Sequence, residues 1–288
     1  MSPAQDGYFI PEPSHWPLVA TTAVFGMLAG TALAINQIPA GFYFLAAGLL
    51  LFAVLLFGWF GDVARESLAG YYNARVDRSF RQGMFWFIAS EVFFFLAFFG
   101  SLYYLRNISL NWLGGAGYLG VTRELLYPGF EGQWPTAGPK QVGGPFTPMA
   151  AMGIPAINTL ILLTSGATVT WAHWGLKLDR RPHLLAGLVA TIALGLLFVV
   201  LQVWEYREAY QHLNLTLRAG VYGSTFYILT GFHGFHVTMG AIMLLAILAR
   251  SLRGHFTPKN HFAFEAVAWY WHFVDVVWLG LFVFVYWL

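Results

Sequence analysis

"HFAFEAVAWYWHFVDVVWLGLFVFVYWL", residues 261–288, is an apolar run of helix length that nevertheless holds Glu265, His272 and Asp275. At 1.5 Å per residue it is long enough to cross a hydrocarbon core about 30 Å thick. A charged carboxylate at the centre of such a helix costs roughly 2.5–3.5 kcal/mol on insertion scales, so groups of this kind face protein rather than lipid. Glu265, Trp269 and His272 recur at i, i+4 and i+7 and therefore share one helix face. Asp275 follows one turn later, within reach of Trp271, His272 and Trp278, and the two indole N–H groups are its expected donors.

Composition places the rest of the chain in the same solvent. Hydrophobic residues make up 58%, aromatics 18% and charged residues only 10%, against about a quarter charged in soluble domains. Seven spans are expected, at 15–36, 40–61, 80–106, 154–177, 184–206, 222–250 and 260–288. The first carries Gly26 and Gly30, a GxxxG spacing that lets another helix approach closely. Residues 1–14 contain Asp6 and Glu12 but no Lys or Arg, so no signal peptide is expected and the first helix is retained. Without cysteine there is no disulfide framework and no thiolate metal site. A net charge of +2 does not point to nucleic acid.

The basic residues read as topology. With the N-terminus in the cytoplasm, ten of the fifteen Lys and Arg fall on inner segments, and three of the outer five, Arg106, Arg123 and Lys140, lie at or in the long connection between the third and fourth spans. An odd number of spans puts the C-terminus outside. The expected organisation is a cytoplasmic tail (1–14), a two-helix unit (15–61), a cytoplasmic linker (62–79) and a five-helix bundle (80–288) with an outer loop at 107–153. That loop, with "EGQWPTAGPKQVGGPFTP", should be irregular and able to serve as a contact element.

Several polar residues lie deep in these spans. Glu91, in "FIASEVFFFLAFFG", lies about 16 Å beyond Phe80 along a helix, where phenylalanine surroundings favour the neutral, hydrogen-bonding acid. His233 and His236 share a face of the sixth span and are the candidate partners of that carboxyl. A metal at the His pair is disfavoured, because a carboxylate-bridged di-metal bundle needs Glu-x-x-His on facing helices. The hydroxyls and small residues of "INTLILLTSGATVTWAHW" suit helix packing. Two helix ends suggest a lipid-headgroup site: Trp59, Glu66, Ser67 and Tyr71 on one side, Arg250, Arg253 and His255 on the other. Guanidiniums supply bidentate phosphate contacts there, although topology and helix dipoles also favour arginine at such ends.

The phrases "PSHWPL", "WFGDVARES", "SEVFFF", "TWAHW", "YGSTFYILTGFHGFHV" and "HFTPKNHFAFEAVAWYWHFVDVVWL" together closely resemble subunit III of the haem-copper cytochrome c oxidases. The resemblance spans nearly the whole chain, and the Gly/Pro loop is similar to bacterial members. It implies two helices leaning away from five, with phospholipid filling a V-shaped cleft, in a bacterial inner membrane. Phosphatidylethanolamine or phosphatidylglycerol are the expected lipids. It also implies no catalytic residue and no metal in this chain, with haem and copper carried by subunits I and II, which pass electrons from cytochrome c to oxygen and pump protons. Subunit III would stabilise subunit I and support its proton uptake, with Glu91 at the family's buried carboxyl and Trp59, Glu66, Arg250, Arg253 and His255 at headgroup contacts. Where many relatives have Trp and Arg, this chain has Phe60 and Gly61. On this reading the polar stripe of the last helix is internal packing.

Two alternatives stand beside it. A quinol oxidase or nitric-oxide-reductase-type relative often lacks the first two helices, whereas "PSHWPL" and "WFGDVARES" are both present here. A proton-coupled transporter using Glu91 and the His pair would need paired broken helices, and none is visible.

Overall fold

The computed structural model describes residues 8–287, so the first half of the expected 1–14 tail, including Asp6, lies outside the described residues. The chain forms α1 (Trp16–Ile35), α2 (Ala40–Leu68), α3 (Ala74–Leu113), α4 (Val121–Leu126), α5 (Ile154–Lys177), α6 (Arg181–His212), α7 (Gly220–Leu252) and α8 (Phe262–Trp287). All but the short α4 are long and apolar enough to cross a membrane, which makes the chain an all-helical, multi-pass membrane protein with seven candidate spans. Among the described residues there is no strand. It divides into two compact units, residues 1–82 and 83–288.

In the first unit α1 and α2 pack backbone to backbone. A methyl group added at Gly26 would lie 3.2 Å from the Cα of Gly48, and at Gly30, Gly41 or Gly48 it would run into the partner helix itself. The GxxxG spacing of α1 thus finds its partner in the glycines of α2. The turn between the helices places Gln37 at φ 60. At the opposite end the Trp16 indole lies on Gly58 and donates to Asp62 Oδ2 at 2.7 Å. Asp62 also pairs with Arg65. The motifs "PSHWPL" and "WFGDVARES" therefore touch.

The expected linker at 62–79 is mostly helix. α2 continues to Leu68 and α3 starts at Ala74, leaving 69–73 as the non-helical link. Asn73 Oδ1 accepts from the backbone N–H groups of Arg75 and Val76, both at 3.1 Å, and caps α3. Asp77 and Arg81 pair at i, i+4 within its first turns. Charge here marks the end of the apolar stretch, not the end of the helix.

α3 also outruns its expected end, continuing through a π-helical turn at Leu105–Ser109 into Leu110–Leu113. What remains of the 107–153 loop is α4 and an irregular segment that packs against the α6–α7 connection. Asn214 Nδ2 donates to the carbonyls of Pro145 (2.8 Å) and Gly143 (3.2 Å). Thr147 N–H donates to Leu213 at 2.9 Å, Phe146 stacks on Tyr222, and Arg106 lies over the Trp134 ring at 6.0 Å.

The second unit has a dense interior between α5, α6, α7 and α8, with one face of α3 against it. Trp271, Trp278, Phe95, Phe198 and Phe226 are fully buried. Trp271 fits because Gly195 and Gly240 leave room for its ring; a methyl at Gly240 would sit 2.8 Å from it. Hydroxyls link neighbouring helices, as between Thr168 and Thr191 at 2.8 Å and between Tyr206 and Thr230 at 2.7 Å.

Candidate functional site

Glu91 and His236 meet across α3 and α7, with Oε2 and Nε2 2.9 Å apart. The other imidazole nitrogen, Nδ1, lies 2.6 Å from the Phe232 carbonyl, which can only accept, so Nδ1 carries a proton. With Nδ1 protonated, the bond to Glu91 needs a further proton between Oε2 and Nε2. Either the neutral acid donates to a neutral imidazole, or an imidazolium donates to a carboxylate. The fully deprotonated pair would set two acceptors against each other. Phe94 and Phe95 pack on the imidazole, with ring centroids at 5.9 and 5.0 Å, and keep the pair in an apolar setting.

His233, the other candidate partner, turns away. It is fully buried, its Nε2 lies 3.2 Å from the Val274 carbonyl, and its ring packs between Phe198 and Trp278. One helical turn separates a histidine that reaches the carboxyl from one that fills the core.

The expected indole donors of Asp275 also point elsewhere. Trp271 donates to Ser165 Oγ at 2.8 Å and Trp278 to Thr159 Oγ1 at 2.9 Å, both on α5. Asp275 instead faces His272 Nδ1 at 3.6 Å, beyond hydrogen-bond range but close enough to attract an imidazolium. His272 Nε2 pairs with Thr170 Oγ1 at 3.1 Å.

Glu205 is the polar group that sequence reading passes over. It is fully buried near the end of α6 and accepts from the Tyr286 hydroxyl at 2.7 Å. Gln202, one turn earlier, donates to the Thr230 carbonyl at 2.8 Å. The available signal was a carboxylate at the end of an apolar run, weaker than that of Glu91 at middle depth.

The headgroup residues fall in both units. In the first, Glu66 accepts from the Tyr72 hydroxyl at 2.6 Å, and Tyr71 stacks on Phe9 with centroids 5.4 Å apart. Burial, then the bond to Glu66 and its charge, hold the Tyr72 phenol above its ordinary 10.0. Ser67 is half-buried, whereas Trp59 is exposed. In the second unit Arg250 lies 4.7 Å over the Phe256 ring, and Arg181 donates to the Leu252 carbonyl at 2.7 Å, closing the C-terminus of α7. His255 follows in the next turn; desolvation first, then the charges of Arg250 and Arg253, keep it below the ordinary histidine value of 6.5.

Comparison with known proteins agrees with this arrangement of spans. A family model described as "Cytochrome c oxidase subunit III" matches residues 6–288. "Cytochrome c oxidase subunit 3" of Cyprinus carpio is 40% identical over 286 residues, covering 97% of this chain and 96% of the relative. The subunits so named from Latimeria chalumnae and Equus caballus are 41% and 40% identical with the same coverage. The chain belongs to the cytochrome c oxidase subunit III family, and is a subunit of an oxidoreductase complex.

Proposed function

We propose that this chain acts as a non-redox support subunit of a proton-pumping oxidase that passes electrons from cytochrome c to oxygen. Its partners are subunits I and II, which carry the haem and copper. The Glu91–His236 bond carries the reading, because it is a proton-sharing pair held in an apolar setting. A carboxyl and an imidazole that share a proton can take one up on one partner as the other releases one, so net charge is kept, and that suits a role in supporting proton uptake by subunit I.

The lipid role rests on two groups of side chains. Trp59, Ser67 and Tyr71 offer amphipathic rings and a hydroxyl, with Glu66 tied to Tyr72 beside them. Arg250, Arg253 and His255 offer cationic and hydrogen-bonding contacts to phosphate. Structural phosphatidylethanolamine or phosphatidylglycerol fits both. The charge asymmetry supports a cytoplasmic N-terminus and a periplasmic C-terminus, and the Gly/Pro connection supports a bacterial cell membrane.

Glu91→Gln tests the central element. The amide can still hydrogen-bond His236 but cannot exchange a proton. Assembly and oxygen reduction should stay largely intact, while proton uptake or the number of turnovers before inactivation changes, read by proton-uptake kinetics and activity decay in the purified complex. Loss of assembly would make Glu91 a structural pin instead.

A further inference from the structure

The polar groups considered so far leave one cluster unused. His173 near the end of α5, His261 just before α8 and Glu265 in the first turn of α8 each offer a ligand atom, and these atoms all lie within 4.8 Å of one another. His173 and Glu265 are half-buried and His261 is buried. The two imidazoles meet edge to face at a centroid distance of 5.4 Å, and Phe264 packs on His173 at the same distance.

The geometry points to a binding site for a divalent transition-metal ion of the zinc type, ligated by His173, His261 and Glu265. Two imidazoles and one carboxylate form a borderline donor set that suits zinc and excludes the oxygen-only shells preferred by calcium and magnesium. His261 Nδ1 lies 3.1 Å from the Thr257 carbonyl, so this nitrogen carries a proton and Nε2 is the ring atom left to face an ion. A backbone carbonyl holding the far nitrogen of an imidazole is the usual support for a ligand histidine. The Glu265 N–H donates to the His261 carbonyl at 3.1 Å, which holds His261, at the N-cap of α8, one turn from Glu265.

Ligand atoms around tetrahedral zinc stand about 3.3 Å apart at bond lengths of about 2.0–2.1 Å. Closure from the present separations therefore takes side-chain rotation of about 1.5 Å or less, without moving a helix. Three protein ligands leave a fourth position for water. The ion would tie the end of α5 to the start of α8, elements separated in sequence by α6 and α7.

The test uses the intact detergent-purified complex, stripped with chelator and titrated with zinc chloride. The native complex should hold one more equivalent of zinc, by elemental analysis after dialysis, than the His173→Gln, His261→Gln and Glu265→Gln complexes. X-ray absorption at the zinc edge should give two imidazole nitrogens in that extra shell. Equal zinc content in native and variant complexes would overturn the site. A measurement on the native complex alone keeps the proposal exposed even where a variant fails to assemble. Zinc should protect His173 and His261 from diethylpyrocarbonate modification, read by mass spectrometry, while the exposed His212 stays reactive. Equal modification of all three with and without zinc would reject it.

Discussion

The two units of this chain use opposite means of holding membrane helices together. In the first, α1 and α2 meet through glycine, and only 11% and 17% of their apolar stretches are buried inside the protein. Its one interhelical polar clamp described above, Trp16 to Asp62, lies at the end of the hairpin. In the second unit α5, α6 and α7 bury 39% of theirs and α8 buries 50%, while α3, mostly in this unit, buries 11%. There large rings fill the interior and hydroxyls receive indole and phenol protons from neighbouring helices. Lipid chains are as apolar as leucine, so neither unit gains much from hydrophobic burial in the membrane; close backbone approach serves one and shape-matched aromatics with polar links serve the other.

That contrast can be broken at its strongest point. Trp271→Ala removes a fully buried ring and leaves Ser165 without its donor, and the expected cost is about 3–5 kcal/mol. Denaturant titration of the complex, followed by release of this chain, measures it. A cost below about 1 kcal/mol would mean that the second unit does not depend on aromatic packing. Gly30→Leu attacks the first unit, where overpacking is expected to cost about 1–3 kcal/mol. Limited proteolysis should then cut residues 36–39 while 83–288 stays resistant; equal sensitivity of both regions would erase the distinction.

The smallest effect concerns the surface of the second unit. His255 is held below 6.5 by desolvation and by Arg250 and Arg253. It is therefore neutral at neutral pH and gains its proton only as pH falls through the region below that value. The added charge favours an anionic headgroup by about 1 kcal/mol, or about fivefold. Retained phosphatidylglycerol per complex should rise on acidification from about pH 7.5 to about pH 5, and His255→Gln should flatten the response. A flat response in the unmodified complex would separate His255 from lipid binding.

The seven spans were legible because hydropathy reports the solvent directly, and ordered motifs carried the family. Helix limits were less legible. Asp62, Arg65, Asp77 and Arg81 leave the apolar region without leaving the helix, because i, i+3 and i, i+4 pairs support helical turns in any solvent. Partners were read along the helix rather than across it. Trp271 and Trp278 lie on the Asp275 face of α8, yet the side chains cross to α5, and only three-dimensional packing shows that. Glu91 could be set beside His233 and His236 because all three are ionisable groups at middle depth, and in the structure His236 is the one that meets the carboxyl. His233 shared that signature and went to the core. Glu205 was missed because it sits at the very end of its expected span, where a carboxylate reads as a boundary.

The π-helical turn in α3 has a consequence for phase. In its second half the buried positions run Phe95 and Leu102, seven apart, and then Leu110, eight further on. In an unbroken α-helix eight residues advance the azimuth by about 80° beyond two full turns, which would swing Leu110 away from the interior. The wide turn at Leu105–Ser109 absorbs one extra residue and brings Leu110 back into register. α3 is thus two amphipathic wheels joined by a phase adjuster, one aligned with Glu91 and the other with the region of Arg106. Any change in the number of residues across that turn would rotate one wheel against the other by about 100° per residue.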